Sequence, residues 1–220
     1  MTYFEKQANF VQKVTTWFKS LISFVDLMHD EVKGVSFVPI HRYGTGRAEL
    51  VDKICVVLGK ERGGVYKDRY NFFGGKLEKS WSDSIPWPTV PTAEKVLWIL
   101  LTLFDEVAEE FGIMLEPEDF IKSCVSVTRH GASLVFWCHM TGVNRGTWTT
   151  IMADPKRKTL WKYQEMDAIE HIPVESILGR GDLSSYVVEL VGKASMIAKT
   201  LDGRPHCRFT DFTPTTGFLA

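Results

Sequence analysis

Residues 103–113 carry four carboxylates, Asp105, Glu106, Glu109 and Glu110, just ahead of Gly112. Apolar residues around them recur at helical spacing, and Gly112 is where such a helix should end. The acids therefore fall in its last two turns, where the helix dipole already places about half a unit of negative charge. Asp105/Glu109 and Glu106/Glu110 are also like charges at i,i+4, each pair costing on the order of 0.2–0.5 kcal/mol. No lysine or arginine stands among them. An arrangement that stability disfavours invites a bound cation. Glu106 and Glu110 lie one above the other on a helix, with Glu109 close by. Three such carboxylates offer hard oxygen ligands suited to Mg²⁺ or Mn²⁺ rather than to a soft metal. The plain alternative is a solvated acidic face.

These acids need a helix and an opposing backbone to position them. Thr92 is the expected N-cap, with Glu94 in the first turn, and the helix runs to Phe111. Its expected core stripe is Leu97, Leu100, Leu101, Phe104, Val107, Ala108 and Phe111. Upstream, a short aromatic strand ends in Gly74-Gly75-Lys76-Leu77-Glu78, where a glycine pair lets another group approach the backbone closely. Residues 79–92 read as an inserted loop, whose three prolines exclude helix and whose two tryptophans expect something to pack on.

Strands are expected over 34–41, 51–59, 121–128 and 132–141, with a further candidate at 148–152. An amphipathic helix is expected over 4–29, a short one over 174–178 and a longer one over 183–201. The tail beyond shows no periodicity. Strands mixed with helices in this order predict an α+β domain with helices on the faces of a sheet.

The glycine turn and the acidic helix together resemble the Nudix hydrolase family, whose pattern is G-x5-E-x7-R-E-U-x-E-E-x-G-U with U a bulky aliphatic residue. Its second half is matched at Glu106, Val107, Glu109, Glu110, Gly112 and Ile113, and its first half at Gly75, with Gly74 and Glu78 fitting the surroundings. The resemblance departs in three places. Asp105 stands where the family has arginine, Trp81 stands where an acid is expected, and the interval between the halves is longer, the excess falling in 79–92. In the family that arginine orients a catalytic glutamate, so rate or metal preference could differ here.

The resemblance implies a Nudix-type α/β/α sandwich with a mixed sheet over residues 33–180, an N-terminal helical extension over 1–32 and a C-terminal helix and tail over 181–220. It implies Mg²⁺ or Mn²⁺ held by Glu106, Glu109 and Glu110 with the Gly74 carbonyl. Glu109 and Glu110 would be central ligands, and Glu106 a ligand or the base. In the acid-rich segment 163–175, Glu165 is a candidate fourth carboxylate, with a solvated loop acid as the equal alternative, and His171 replaces the usual tryptophan as a packing residue.

The implied activity is hydrolysis of a phosphoanhydride in a nucleoside diphosphate linked to another moiety: a nucleotide, nucleotide sugar, dinucleotide or capped RNA. The rival is a non-catalytic Nudix-like module binding a nucleotide or a protein. Arg42, Arg69 and Lys76 are candidates to meet phosphates, with plain solvated side chains as the alternative, and Phe72 and Trp81 to stack on a base, with core packing as the commoner role of such aromatics. A third reading, a purely structural chain, rests on the two extensions.

At 220 residues the chain can bury a real core, and its 45% hydrophobic and 24% charged residues are ordinary for a globular protein. A net charge of −1 gives no basic field for coating nucleic acid. Four separated cysteines without a C-x-x-C pair read as reduced thiols, so a cytoplasmic location is expected. No leader and no apolar run long enough for a membrane span are apparent, and a homodimer contact through the N-terminal helix is an open expectation.

Overall fold

The computed structural model describes residues 12–13, 16–17, 28–42, 53–77, 86–111, 113–115, 120–121, 123–139, 166–198 and 209–211. Most of the expected N-terminal helix, the candidate strand at 148–152, Trp81 and Glu165 lie outside them.

The strands are β1 (Gly34–Arg42), β2 (Ile54–Glu61), β3 (Tyr70–Asn71), β4 (Ile113–Leu115), β5 (Cys124–His130), β6 (Ser133–His139), β7 (Met166–Pro173) and β8 (Phe209–Asp211). Two α-helices are described, α1 (Thr92–Glu106) and α2 (Ser185–Ala198). A six-stranded sheet runs β3-β2-β1-β6-β5, with β7 on β2. It is mixed: β1 pairs parallel with β6, and the other pairings are antiparallel. β4 and β8 form a separate two-stranded sheet. β8 lies in the tail where no periodicity is visible, because a three-residue strand is too short to show one.

Alternation along the strands divides the apolar residues between two faces. Val35 and Phe37 of β1, Val57 of β2, and Leu134, Phe136 and Cys138 of β6 meet Val96, Ile99, Leu100 and Leu103 of α1. Val38 and Ile40, Val56 and Leu58, and Val135 and Trp137 meet Leu183 and, from α2, Val187 and Leu190. The fold is an α/β/α sandwich. α2, expected as part of an extension, supplies its second layer.

The α1 stripe is rotated from the expected one: Val96, Ile99 and Leu103 are buried, whereas Leu97, Leu101 and Phe104 are only partly so. Residues 96–104 are apolar on nearly every side, so periodicity alone could not choose the buried face. The cap also differs, since Pro91 holds the N-cap position without a side-chain bond and Thr92 is already helical. From the inserted loop, Trp87 donates its indole N–H to the Met28 carbonyl at 3.2 Å, and the Lys95 ammonium lies over its ring at 5.0 Å. That tryptophan does pack.

Candidate active site at the glycine turn

β1 pairs with β2 only over Ile40–Arg42, where it meets Ile54–Val56. Farther along, segment 70–77 occupies the widening gap. Tyr70 and Asn71 pair with Lys60 and Gly59 of β2, whereas Phe73 and Lys76 bridge to Phe37 and Gly34 of β1. Phe37 N donates to the Phe73 carbonyl at 2.6 Å, and Val35 N to the Gly75 carbonyl at 2.9 Å. The glycine pair is thus fixed against the sheet.

Position 74 requires glycine. Gly74 has φ +142, a conformation L side chains rarely adopt, and a Cβ on it would strike the Val35 carbonyl. A Cβ on Gly75 would strike the Glu106 carboxylate. Gly74 N donates to Glu110 Oε2 at 2.6 Å. The Gly74 carbonyl is the group that the resemblance implies; the contact the structure shows is made by the Gly74 amide, a donor that no residue pattern announces. Two carboxylates therefore converge on one glycine pair, although the chain between them is long.

The helix that delivers them changes character at the site. α1 ends at Glu106, and Val107–Phe111 form a π-helical turn in place of the expected continuous α-helix. Such turns alter which side chains share a face and recur at functional sites. Here Val107, Glu110 and Phe111 are buried and Glu109 is exposed. Phe111 stacks on Phe73, centroids 4.4 Å apart and planes at 19°, so each partner of the Gly74–Glu110 bond has a ring of this stack next to it in sequence. Glu110 is only 4% exposed, Glu106 is partly buried, and Asp105 is exposed.

The expected three-carboxylate cluster is not assembled as a unit: among the described residues, no three His, Cys, Asp or Glu side chains form a group that could hold a metal ion. The structure brings Glu106 and Glu110 together at the glycine turn and leaves Glu109 on the outer side. Two carboxylates still fit Mg²⁺, which commonly takes one or two protein carboxylates and completes its shell with water and phosphate oxygens.

The other candidates are dispersed. Phe72 is no stacking platform but a core residue, edge-on to Trp137 and Tyr186 with centroids 6.1 and 5.9 Å away. Arg69 is exposed, and its guanidinium donates to the Leu183 carbonyl at 3.0 Å. Lys76 is exposed one residue after the glycine pair. Arg42 ends β1. His171 is buried in β7, as a packing residue should be.

A second acidic group, unforeseen in the sequence, lies near the start of α2. Arg180 forms a fork on Glu170, Nη1 to Oε1 at 2.6 Å and Nη2 to Oε2 at 3.1 Å. Its Nε also donates to Asp182 Oδ1 at 2.8 Å. The guanidinium lies over the Tyr70 ring at 5.0 Å. The hydrogen bond from Arg180 holds the Asp182 carboxyl below its ordinary range, and burial with the adjacent Glu170 pushes the Tyr70 hydroxyl up.

Comparison with solved structures gives loose likenesses of one kind. The Nudix domain of Shewanella oneidensis NrtR, complexed with ADP ribose, matches at 10% identity over 76% of this chain and 88% of that one, TM-score 0.42. A Nudix hydrolase from Alicyclobacillus acidocaldarius matches at 15% identity over 79% and 98%, TM-score 0.42. Both of these solved structures are Nudix proteins. NrtR in complex with a 27mer DNA matches at 11% identity over 74% of this chain, which spans only 60% of that one, TM-score 0.40. No family model matches the chain, and no curated protein does. Among the described residues, no helix is long and apolar enough to cross a membrane.

Proposed function

We propose that this chain is a Nudix-type hydrolase that cleaves a phosphoanhydride bond in a nucleoside diphosphate linked to a second moiety. The observation that carries this reading is the bond from Gly74 N to Glu110 Oε2, made across 36 positions of sequence. It joins in space the two motif halves that the inserted loop separates in sequence. Glu106 and Glu110, with the Gly74 carbonyl, are the groups that would hold Mg²⁺ or Mn²⁺. When bound, the ion supplies charge neutralisation on the phosphate oxygens and acidifies a bound water.

The protein's own contribution is positional. Burial and the Gly74 amide fix one oxygen of Glu110, and the Cα hydrogens of Gly75 leave room for the Glu106 carboxylate. Glu106, or Glu109 from the outer side, accepts the proton of the attacking water. Lys76, exposed beside the turn, would meet a phosphate. Nucleotides, nucleotide sugars, dinucleotides and capped RNA all present the required linkage.

A second reading, a Nudix-like binding module without catalysis, is favoured by the exposed Glu109 and by Asp105 at the position of the family arginine. Product analysis by mass spectrometry separates the two. The protein is incubated with Mg²⁺ or Mn²⁺ and ADP-ribose, NADH, diadenosine polyphosphates, nucleotide sugars, nucleoside triphosphates or capped RNA. Metal-dependent turnover of one class, lost in Glu106→Gln and Glu110→Gln, supports the hydrolase. Metal-independent binding with no turnover of any class supports the module.

A further inference from the structure

Three cysteines are described, all as thiols, and they differ in placement. Cys55 lies buried in β2, and burial pushes its thiol up to about 12, so it stays protonated and inert. Cys124 and Cys138 face one another. They are register partners across the antiparallel β5–β6 pair, at the end of the hairpin remote from its Gly131 turn. Both side chains belong to the face covered by α1: Cys138 lies within that core cluster, and Cys124 packs against it.

Register partners in an antiparallel pair have Cα atoms about 4.5–5.5 Å apart, within the roughly 4.4–6.8 Å span that a disulfide bridges. A bulge follows at once, since the register shifts between Cys124 and Ser126. Extra twist at a bulge lets the strand end adjust to a cross-link. The two thiols also differ in access: Cys138 is 0% exposed and Cys124 is partly exposed.

From this juxtaposition we propose that Cys124 and Cys138 form a reversible cross-strand dithiol, closed by a peroxide. The Cys124 thiolate attacks a peroxide oxygen, the O–O bond breaks, and the leaving oxygen departs as water after protonation. The Cys138 sulfur then attacks the sulfenic sulfur of Cys124, forming the S–S bond and releasing a second water. Two thiols are oxidised by two electrons, and one peroxide is reduced to two waters. A small dithiol reverses the step by exchange. The closed form staples the open end of the hairpin, so the β5 strand cannot peel from β6. This inference is independent of the hydrolase reading.

The test is peptide mapping of the full chain without reduction, before and after hydrogen peroxide. The expected result is a linked pair of peptides carrying Cys124 and Cys138, cleaved by a dithiol reductant. The melting midpoint should rise by roughly 5 °C on closure. Cys124→Ser should abolish both changes, whereas Cys55→Ser and Cys207→Ser should preserve them. A link to Cys55 or Cys207, a link between chains, or oxidation of Cys124 that stops at sulfenic or sulfinic acid would overturn the proposal. Mapping of the unsubstituted chain decides the matter even if a variant folds poorly.

Discussion

Two acidic groups on this molecule are solved in opposite ways. Near the start of α2, Glu170 and Asp182 are closed by one guanidinium fork, itself seated on an aromatic ring. Such a group satisfies itself and has little left to offer a ligand. At the glycine turn, Glu110 takes a hydrogen bond from a backbone amide, a partial charge, while the helix end and the neighbouring acids add negative potential. The two groups differ in the partner each is given: a guanidinium for Glu170 and Asp182, a backbone amide for Glu110.

The contrast breaks first at Glu110. If it serves chemistry, Glu110→Gln should lower turnover about 100-fold or more while the melting temperature moves little. A large stability loss with unchanged turnover per folded molecule would put Glu110 with the structural acids. Gly75→Ala should come next, since the added methyl occupies the place of the Glu106 carboxylate. We expect turnover to fall about tenfold or more with the circular dichroism spectrum preserved, and an intact rate would show that Glu106 need not lie there. Glu109→Gln sharpens the division within the motif itself. Being exposed, Glu109 should matter less than Glu110, by less than about tenfold in kcat; equal losses would mean that the outer acid is also a principal ligand.

Arg180→Ala probes the other side. It should cost about 1–2 kcal/mol in denaturant unfolding and leave turnover within about twofold. The smallest effect is on pH dependence. Asp182 has its folded pKa held down, so its stabilisation is present above the unfolded value, near 3.8, and is lost as pH falls through the folded one. Melting temperatures followed down the acid limb should therefore fall less steeply in Arg180→Ala. An unchanged limb would detach Asp182 from the fork.

The candidate residues were legible because their signals are local. Gly74-Gly75, Glu106 and Glu110 stand out by type and spacing, and the structure sets the glycine pair against those two acids, while the helix turns π-helical from Val107 instead of continuing to Phe111. The sheet strands were legible for the same reason, since Gly34–Arg42 and Ser133–His139 are bounded apolar runs. What sequence could not show depends on a partner. The buried stripe of α1 is the one that meets the sheet, and the π turn at Val107–Phe111 is where Phe111 stacks on Phe73 beside the glycine turn; neither contact is written in the spacing of α1 alone. Phe72 carried two readings, base-stacking or core, and its edge-on contacts with Trp137 and Tyr186 put it in the core. The Arg180 fork joins a strand residue to a loop residue, and no periodicity records such a meeting.

The wedge of residues 70–77 between β1 and β2 has one more consequence. One end of the site is anchored to the sheet and the other to α1, so the length of chain that joins them weighs little on closure. Doubling a flexible loop adds only about 0.6 kcal/mol to its closure. The number of residues between the two anchors is therefore a weak lever on stability, whereas Trp87, held by the Met28 carbonyl and the Lys95 ammonium, is a third tether that a rewritten sequence would have to keep.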